Sequence, residues 1–179
     1  MKTVRDICQY IGSVIVKYPT CIETGTMYVS SPDNEPHNTT NNILEFICAP
    51  KEGYLYSLDI DPEHIKFATT FCGKLNGWTY CSWLLGDSVD TLKSYEGPDV
   101  DLLCLDSKEF DENHMVNEYN AIKESLAEKH FVLIDDIHNV NSVKWKKLVP
   151  LLKELSYSYI EVPTLTGMFV ATKGYNLWD

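Results

Sequence analysis

The sequence contains no run of basic residues and no long apolar run. Its 179 residues include 15 Lys and Arg against 26 Asp and Glu, which gives a formal net charge of −11. A nucleic-acid-binding surface needs clustered basic side chains, and an anionic membrane surface disfavours acidic ones. No segment approaches the roughly 20 apolar residues that cross a bilayer. We therefore expect neither a nucleic-acid-binding nor a membrane protein.

Six cysteines are present, but no two of them form a C-x-x-C pair. This scattered arrangement favours reduced, structural thiols over a zinc site or a disulfide framework. Cys21 and Cys104 lie in apolar runs, so we expect both in the core. The first 17 residues carry charges at Lys2, Arg5 and Asp6 and have no uninterrupted apolar core, so no secretory signal peptide is evident. These features predict a cytoplasmic protein.

The length and the 44% hydrophobic content suit one domain, with an N-terminal helix within residues 1–18 and a core over 20–174. Helical periodicity predicts a helix over the first 17 residues and another from about residue 39. Three more helices are expected at Pro62–Leu75, Asp111–Leu126 and Ser142–Leu155. Short apolar runs alternate with them and predict strands at Thr20–Gly25, Tyr54–Ile60, Thr79–Gly86, Val100–Ser107 and His130–Ile137. Strands that are apolar on both faces indicate a parallel sheet covered by helices on each side.

The end of the chain departs from this alternation. Two strand-like runs, Tyr157–Pro163 and Met168–Lys173, are separated by only four residues, which is too short for a helical crossover. They must form a hairpin, so the last strand is antiparallel. The predicted fold class is therefore α/β, with a doubly wound, mostly parallel seven-stranded sheet and a C-terminal antiparallel hairpin.

Acidic residues follow each of the first five predicted strands. In a doubly wound sheet the ligand binds beyond the carboxyl ends of the strands, so these acids would meet at one edge. Adjacent carboxylates cost free energy unless a cation or hydrogen-bond donors offset them. We expect a ligand site there. The acids are Glu23, Asp59, Asp87, Asp106, Asp135 and Asp136.

The glycine pattern argues against a dinucleotide as the ligand. Only Gly25 follows the first strand, and no second or third glycine allows the close backbone approach that a pyrophosphate requires. A sulfonium nucleoside has no phosphate and carries positive charge, so it suits an acidic pocket better.

The order of these motifs resembles a known family. E-x-G-T follows strand one, D-x-D-P strand two, G-D strand three, L-D-S strand four and D-D-I-H strand five. This set, with the final hairpin, is similar to the class I S-adenosylmethionine-dependent methyltransferases. The likeness is greatest to small-molecule O-methyltransferases of the catechol and caffeoyl-coenzyme A type, and it covers about residues 21–174.

The resemblance implies an enzyme that binds S-adenosylmethionine. Glu23 and Gly25 would border the methionine part of the cofactor, and Asp59 would accept hydrogen bonds from the ribose hydroxyls. Leu85, Gly86 and Asp87 would flank the adenine, and Asp106 would stand beside the sulfonium. For Asp59 the alternative is a helix cap, but Asp61 before Pro62 already suits that role.

The resemblance also implies a divalent cation. Asp106, Asp135 and Asp136 match the three metal-ligand positions of the metal-dependent O-methyltransferases, and hard oxygen ligands suit Mg²⁺ or a similar ion. Such an ion would orient a substrate hydroxyl and lower its pKa. The alternative is that one aspartate caps the following segment while the other faces water.

The general base is less well indicated. The position of the catechol-type catalytic lysine is occupied by Glu109, so His138 is the first candidate and Lys108 the second. The remaining histidines, His37, His64, His114 and His130, are interpreted as surface or capping residues. We expect a small-molecule substrate, and the sequence leaves open whether the chain forms a homodimer. Alternatives are a metal-independent methyltransferase acting on another atom and a methyltransferase-like binding module without activity.

Overall fold

A single seven-stranded sheet forms the centre of the protein. The computed structural model describes residues 3–27, 38–72 and 78–177. The sheet has the order β3-β2-β1-β4-β5-β7-β6, and β7 is antiparallel to both of its neighbours while the other pairings are parallel. The predicted fold class is confirmed. The strands are β1 (Thr20–Thr24), β2 (Tyr54–Asp59), β3 (Cys81–Leu85), β4 (Val100–Leu105), β5 (Leu126–Ile134), β6 (Ser158–Val162) and β7 (Met168–Lys173).

Helices cover both faces of this sheet. Adjacent residues of β1 show the two-sided burial, because Cys21 belongs to one apolar cluster and Ile22 to the other. The Cys21 side packs with α1 and α4, and the Ile22 side packs with α5, α6 and α7. The helices are α1 (Val4–Val14), α2 (Thr39–Ile43), which continues through a π-helical turn (Leu44–Cys48) into α3 (Ala49–Lys51), α4 (Pro62–Cys72), α5 (Ser88–Lys93), α6 (His114–Ile122) and α7 (Leu148–Glu154).

Helix α1 begins at a capping box and packs closely on the α2–α3 segment. The Thr3 hydroxyl accepts a hydrogen bond from the Asp6 backbone N–H, and the Asp6 carboxylate accepts one from the Thr3 N–H. A Cβ at Gly12 would lie 2.0 Å from the Phe46 carbonyl oxygen, so only glycine permits this approach. The helix is shorter than predicted, ending at Val14, whose side chain is 38% exposed.

Two further predicted helix boundaries are wrong, and the second affects the site. Leu126 begins β5 rather than ending a helix, because a 3₁₀ turn closes α6 first. Residues 142–147 are not helical, because residues 142 and 143 are irregular and 144–147 form a turn before α7. Pro150 has no N–H to donate to the preceding turn, so it fits only near the start of a helix, and α7 begins at Leu148. For α4, the predicted residues 73–75 lie outside the described part of the chain.

Cys21 and Cys104 are fully buried, which confirms that they are core residues. Within residues 3–27, 38–72 and 78–177, no helix combines the length and the apolar character needed to cross a membrane.

Candidate functional site

A cavity of about 790 Å³ lies at the carboxyl ends of the parallel strands. The strand order reverses between β1 and β4, which is where an open α/β sheet forms a ligand crevice. Leu85 ends β3, is 60% exposed and is not part of the lining. The predicted cofactor and metal residues that do line the cavity are Glu23, Gly25, Asp59, Gly86, Asp87, Asp106, Asp135 and Asp136.

Glu23 is the most deeply buried acid of the cavity, with 1% of its surface exposed. Its Oε2 accepts hydrogen bonds from Thr40 Oγ1 at 2.7 Å and from Ser57 Oγ at 2.9 Å. Its Oε1 has no hydrogen-bond partner among the described residues. Burial raises the pKa of Glu23 to about 7, against the opposing effect of the two hydroxyl donors. This carboxyl therefore has one buried oxygen whose hydrogen-bonding capacity is unused among the described residues.

Gly25 lets the β1 loop pass directly over β4. Its φ is +81°, and a Cβ there would lie 2.4 Å from the Asp106 carbonyl oxygen. The Gly25 N–H donates to the Leu58 carbonyl, and the Asp106 N–H donates to the Thr24 carbonyl, both at 2.9 Å. These bonds fix the backbone at the crevice between β1 and β4, where a side chain would obstruct a ligand.

Asp59 ends β2 and organises the adjacent loops. Its Oδ2 accepts the Thr26 N–H at 3.0 Å and lies 3.2 Å from His64 Nδ1, while its Oδ1 accepts the Asp61 N–H at 2.8 Å. Asp61 in turn accepts the Glu63 N–H at 2.8 Å. A carboxylate offers about four acceptor sites, so these contacts leave Asp59 capacity for a ligand hydroxyl.

Gly86 and Asp87 connect β3 to α5. The Gly86 N–H donates to the Asp59 carbonyl at 2.9 Å, which joins the ends of β2 and β3. Asp87 is the N-cap of α5, and its Oδ1 accepts the Asp90 N–H at 3.2 Å. Asp87 thus has a structural role besides its position on the cavity wall.

Lys144 brings together three carboxylates that follow β4 and β5. Its side chain is 0% exposed, and its Nζ donates to Asp106 at 2.6 Å, to Glu109 at 2.8 Å and to Asp136 at 2.9 Å. Burial alone would lower the pKa of Lys144, but Asp106 and Asp136 raise it above its ordinary value. The lysine is therefore charged. The attraction of its ammonium and its hydrogen bond hold the pKa of Asp136 below the usual range in spite of burial.

The predicted metal ligands are only partly brought together. Asp106, Glu109 and Asp136 each place an oxygen within 4.8 Å of the others, so Glu109 takes the place predicted for Asp135. Asp135 is held elsewhere, because its Oδ1 accepts the Asp136 N–H at 2.8 Å and Thr166 Oγ1 at 3.1 Å. Burial and the Asp136 charge raise the pKa of Asp135 to about 6. The oxygen donors suit a divalent ion, but the Lys144 ammonium lies among them, so the arrangement does not fit one.

The two predicted general bases differ in position. Lys108 lines the cavity, has a φ of +41° and pairs with Asp111 at 3.7 Å. His138 is exposed, its ring lies against Gly167, and it is not part of the cavity lining. The geometry favours Lys108.

A buried polar cluster at the cavity wall was not predicted. Glu118 is 0% exposed, and its Oε1 accepts hydrogen bonds from Ser88 Oγ at 2.5 Å and Ser107 Oγ at 2.6 Å. His114 Nε2 lies 3.3 Å from the same oxygen, and the hydrogen bond to Glu118 raises the pKa of His114. The i, i+4 spacing of His114 and Glu118 was the available signal.

The surface assignment of the histidines is wrong for two of them. His114 and His130 are buried, at 7% and 5% exposed. His130 Nε2 lies 2.7 Å from the Tyr157 hydroxyl, far along β5 from the cavity. His37 lies outside the described residues.

Exposed apolar side chains stand on the rim of the acidic cavity. Ile60 is 72% exposed, Phe110 81% and Leu165 73%, and all three line the opening. Large apolar groups exposed together at a concave site mark a surface for an apolar ligand group.

Solved structures with a similar arrangement of strands and helices include methyltransferases. A methyltransferase from Geobacter sulfurreducens superposes with a TM-score of 0.71 at 10% identity, over 94% of this chain and 77% of that one. The O-methyltransferase TomG from Streptomyces achromogenes, in complex with SAM, gives 0.67 at 12% identity, over 96% and 78%. Cofactor-bound Rv0187 from MTB gives 0.74 at 15% identity, over 97% and 80%. The chain has the methyltransferase fold.

At 10–15% identity, the similarity of this chain to these structures shows the fold alone. No family model matches the sequence, and no curated protein matches it. The methyltransferase fold of this chain carries its acidic cavity at the carboxyl edge of β1 to β5, with the loop before β7 as one wall.

Proposed function

We propose that this chain is an enzyme that transfers a methyl group from S-adenosylmethionine to a hydroxyl oxygen of a small molecule. The observation that supports this best is Glu23, a buried carboxyl on the cavity wall with one oxygen left without a partner among the described residues. Such a group favours a cationic ligand. S-adenosylmethionine carries an ammonium and a sulfonium, and solved structures with this fold include one in complex with SAM.

The walls of the cavity offer a place for each part of the cofactor. Glu23 Oε1 would accept the amino group, and Asp59 would accept a ribose hydroxyl with its remaining acceptor site. Gly86 and Asp87, with Leu85 at the edge, would flank the adenine, and exposed Ile60 would pack on its face. Asp106 and Asp135 would lie beside the sulfonium, and a cationic ligand would favour their ionised forms against the burial that raises the pKa of each.

When bound, S-adenosylmethionine supplies a methyl group on a positively charged sulfur. Transfer to a hydroxyl would form an O–CH₃ bond and break the S–CH₃ bond, whose electron pair stays on sulfur, and the hydroxyl proton would pass to a base or to solvent. The task of this chain is to align the two reactants and to exclude water from them. Lys108 is the better placed of the two predicted bases, because it lines the cavity and His138 does not.

The rim supports a substrate with an apolar body. Phe110 and Leu165 stand on the opening beside the acids of β4 and β5, so a flat or apolar group could lie between them with its hydroxyl directed inward. The acidic net charge of −11 speaks against a nucleic-acid substrate. A cytoplasmic location belongs to the same proposal, in which the chain acts as a monomer or a homodimer.

Calorimetric titration with S-adenosylmethionine tests the proposal directly. Wild type should bind, and Asp59→Ala should weaken binding about 10- to 100-fold, since hydrogen bonds to a charged group contribute about 1.5–3 kcal/mol each. Glu128→Gln is the matched control, because this exposed acid lies on β5 away from the cavity and should leave binding unchanged.

Absence of binding by the folded wild-type protein would contradict the proposal and leave the inactive binding module as the function. Equal weakening by Asp59→Ala and Glu128→Gln would show that the effect is general electrostatics rather than a ribose contact.

A further inference from the structure

The Lys144 ammonium has all of its hydrogen-bonding capacity used. An ammonium has three N–H groups, and Nζ makes three short contacts, one each to Asp106, Glu109 and Asp136. With 0% of the side chain exposed, water does not reach it. A buried charge is stable only when it is paired in this way. Lys144 therefore belongs to the carboxylate cluster as its permanent counter-charge.

The backbone holds Lys144 in this position. The Val143 N–H donates to the Glu109 carbonyl at 3.0 Å, and the Ser142 N–H donates to the Asn139 carbonyl at 3.0 Å. The first bond ties residues 142–147 to the loop after β4, and the second ties them to the loop after β5. The lysine thus connects the two loops that carry the acids, after β4 and after β5.

A divalent ion and this ammonium cannot share the cluster. Magnesium binds oxygen at about 2.0–2.1 Å, and the three carboxylates place their oxygens within 4.8 Å of one another around Nζ. An ion among them would lie almost in contact with a buried positive charge. Binding it would require the lysine to leave all three partners and lie unpaired.

We infer that Lys144 is the resident cation of this site and takes the place of a divalent metal, so that methyl transfer by this chain is independent of metal. The inference rests on the proposed function and specifies which cation holds the carboxylates of the same site together. Lys144 is a positioning residue: it fixes Asp106 and Asp136 at the cavity wall and neutralises part of their charge. What remains is a negative wall that suits a sulfonium.

Removal of the ammonium should create the metal site that wild type lacks. Mn²⁺ binding is measured by electron paramagnetic resonance on wild type, Lys144→Ala, and Lys144→Ala combined with Asp136→Asn. Wild type should show no tight Mn²⁺ site, Lys144→Ala should bind at least about tenfold more tightly, and the double variant should lose that gain. Lys147→Ala is the control, since Lys147 is half-exposed on the same segment and pairs with Glu112.

Tight Mn²⁺ binding by wild type that Asp136→Asn abolishes would overturn the inference, and so would a folded Lys144→Ala variant that gains no Mn²⁺ binding. If Lys144→Ala unfolds without metal, the wild-type titration still decides, and recovery of a thermal transition on addition of Mn²⁺ supports the inference. S-adenosylmethionine binding is followed on the same samples. If wild type does not bind S-adenosylmethionine, the proposed function is contradicted. If wild type binds both Mn²⁺ and S-adenosylmethionine, only this inference is contradicted.

Discussion

At the scale of single residues, the site depends on carboxyl groups in different protonation states. Glu23 and Asp135 have pKa values raised by burial, to about 7 and about 6, while Asp136 is held ionised by Lys144. The cavity wall therefore includes a carboxylate that stays ionised and others whose charge depends on pH or on a cationic ligand.

This difference predicts a pH dependence of cofactor binding that comes from Glu23. Below pH 7 the free protein has Glu23 mainly protonated, and a neutral carboxyl attracts the cofactor's ammonium weakly. Affinity should rise about tenfold or more between about pH 5.5 and about pH 7.5. Titrations across that range measure it. Glu23→Gln should bind weakly with a much flatter profile, and an equally steep profile in this variant would assign the effect to another group.

At the scale of elements, helix α1 supports the cavity, although most of the helix lies behind the cavity. Val4 lines the cavity, and α1 packs on the α2–α3 segment that supplies Thr40 to Glu23. The approach of the two segments depends on Gly12, where the Phe46 carbonyl oxygen occupies the space of a Cβ.

Gly12→Ala should therefore destabilise the protein by about 1–3 kcal/mol, because forcing a methyl group against backbone displaces the two segments. Urea unfolding measures the change. The gain of helix propensity at this position, about 1 kcal/mol, acts in the opposite direction. Gln9→Ala, on the exposed face of the same helix, is the control and should stay within about 0.5 kcal/mol of wild type. A Gly12→Ala protein as stable as wild type would show that the segments separate without cost.

At the scale of the whole molecule, a ligand in the central crevice contacts loops from five strands, so binding should stabilise the fold as one unit. At a cofactor concentration of about 100 times Kd the gain is about 2.7 kcal/mol. For a domain of this size that raises the melting temperature by about 5–11 °C. Calorimetric melting with and without S-adenosylmethionine should show a single transition that moves as a whole. Asp59→Ala should melt in one transition with a shift of at most about half that size, because 10- to 100-fold weaker binding leaves a gain of only about 0.4–1.4 kcal/mol. An equal shift in this variant would place the ligand elsewhere.

The strands and the acids that follow them could be predicted because each depends on local sequence. Runs such as 131-FVLI-134 form buried strands, and the carboxyl ends of parallel strands meet at one edge, so Asp59, Asp106 and Asp135 had to lie near each other. The final hairpin followed from a connection too short for a helix. These inferences needed no knowledge of side-chain contacts.

The role of Lys144 could not be predicted in that way. In 143-VKWKK-147 it looks like one lysine of an exposed helix face, and the segment was predicted as the start of α7. Its burial depends on a turn held by the Glu109 carbonyl, 34 residues earlier in the chain. The sequence also could not show that Glu109, and not Asp135, joins the carboxylate cluster. Asp136 adopts a φ of +64°, so the side chains of the neighbouring residues Asp135 and Asp136 contact different partners.

The placement of β7 has a consequence for the order in which the protein can become competent. β7 lies between β5 and β6, and the loop before it supplies Thr166 to Asp135 and Leu165 to the rim. A growing chain that has emerged from the ribosome only as far as β6 would contain every acid of the crevice. The wall formed by the loop before β7 would still be missing. Cofactor capture during translation must therefore wait until the seventh strand has been made and inserted.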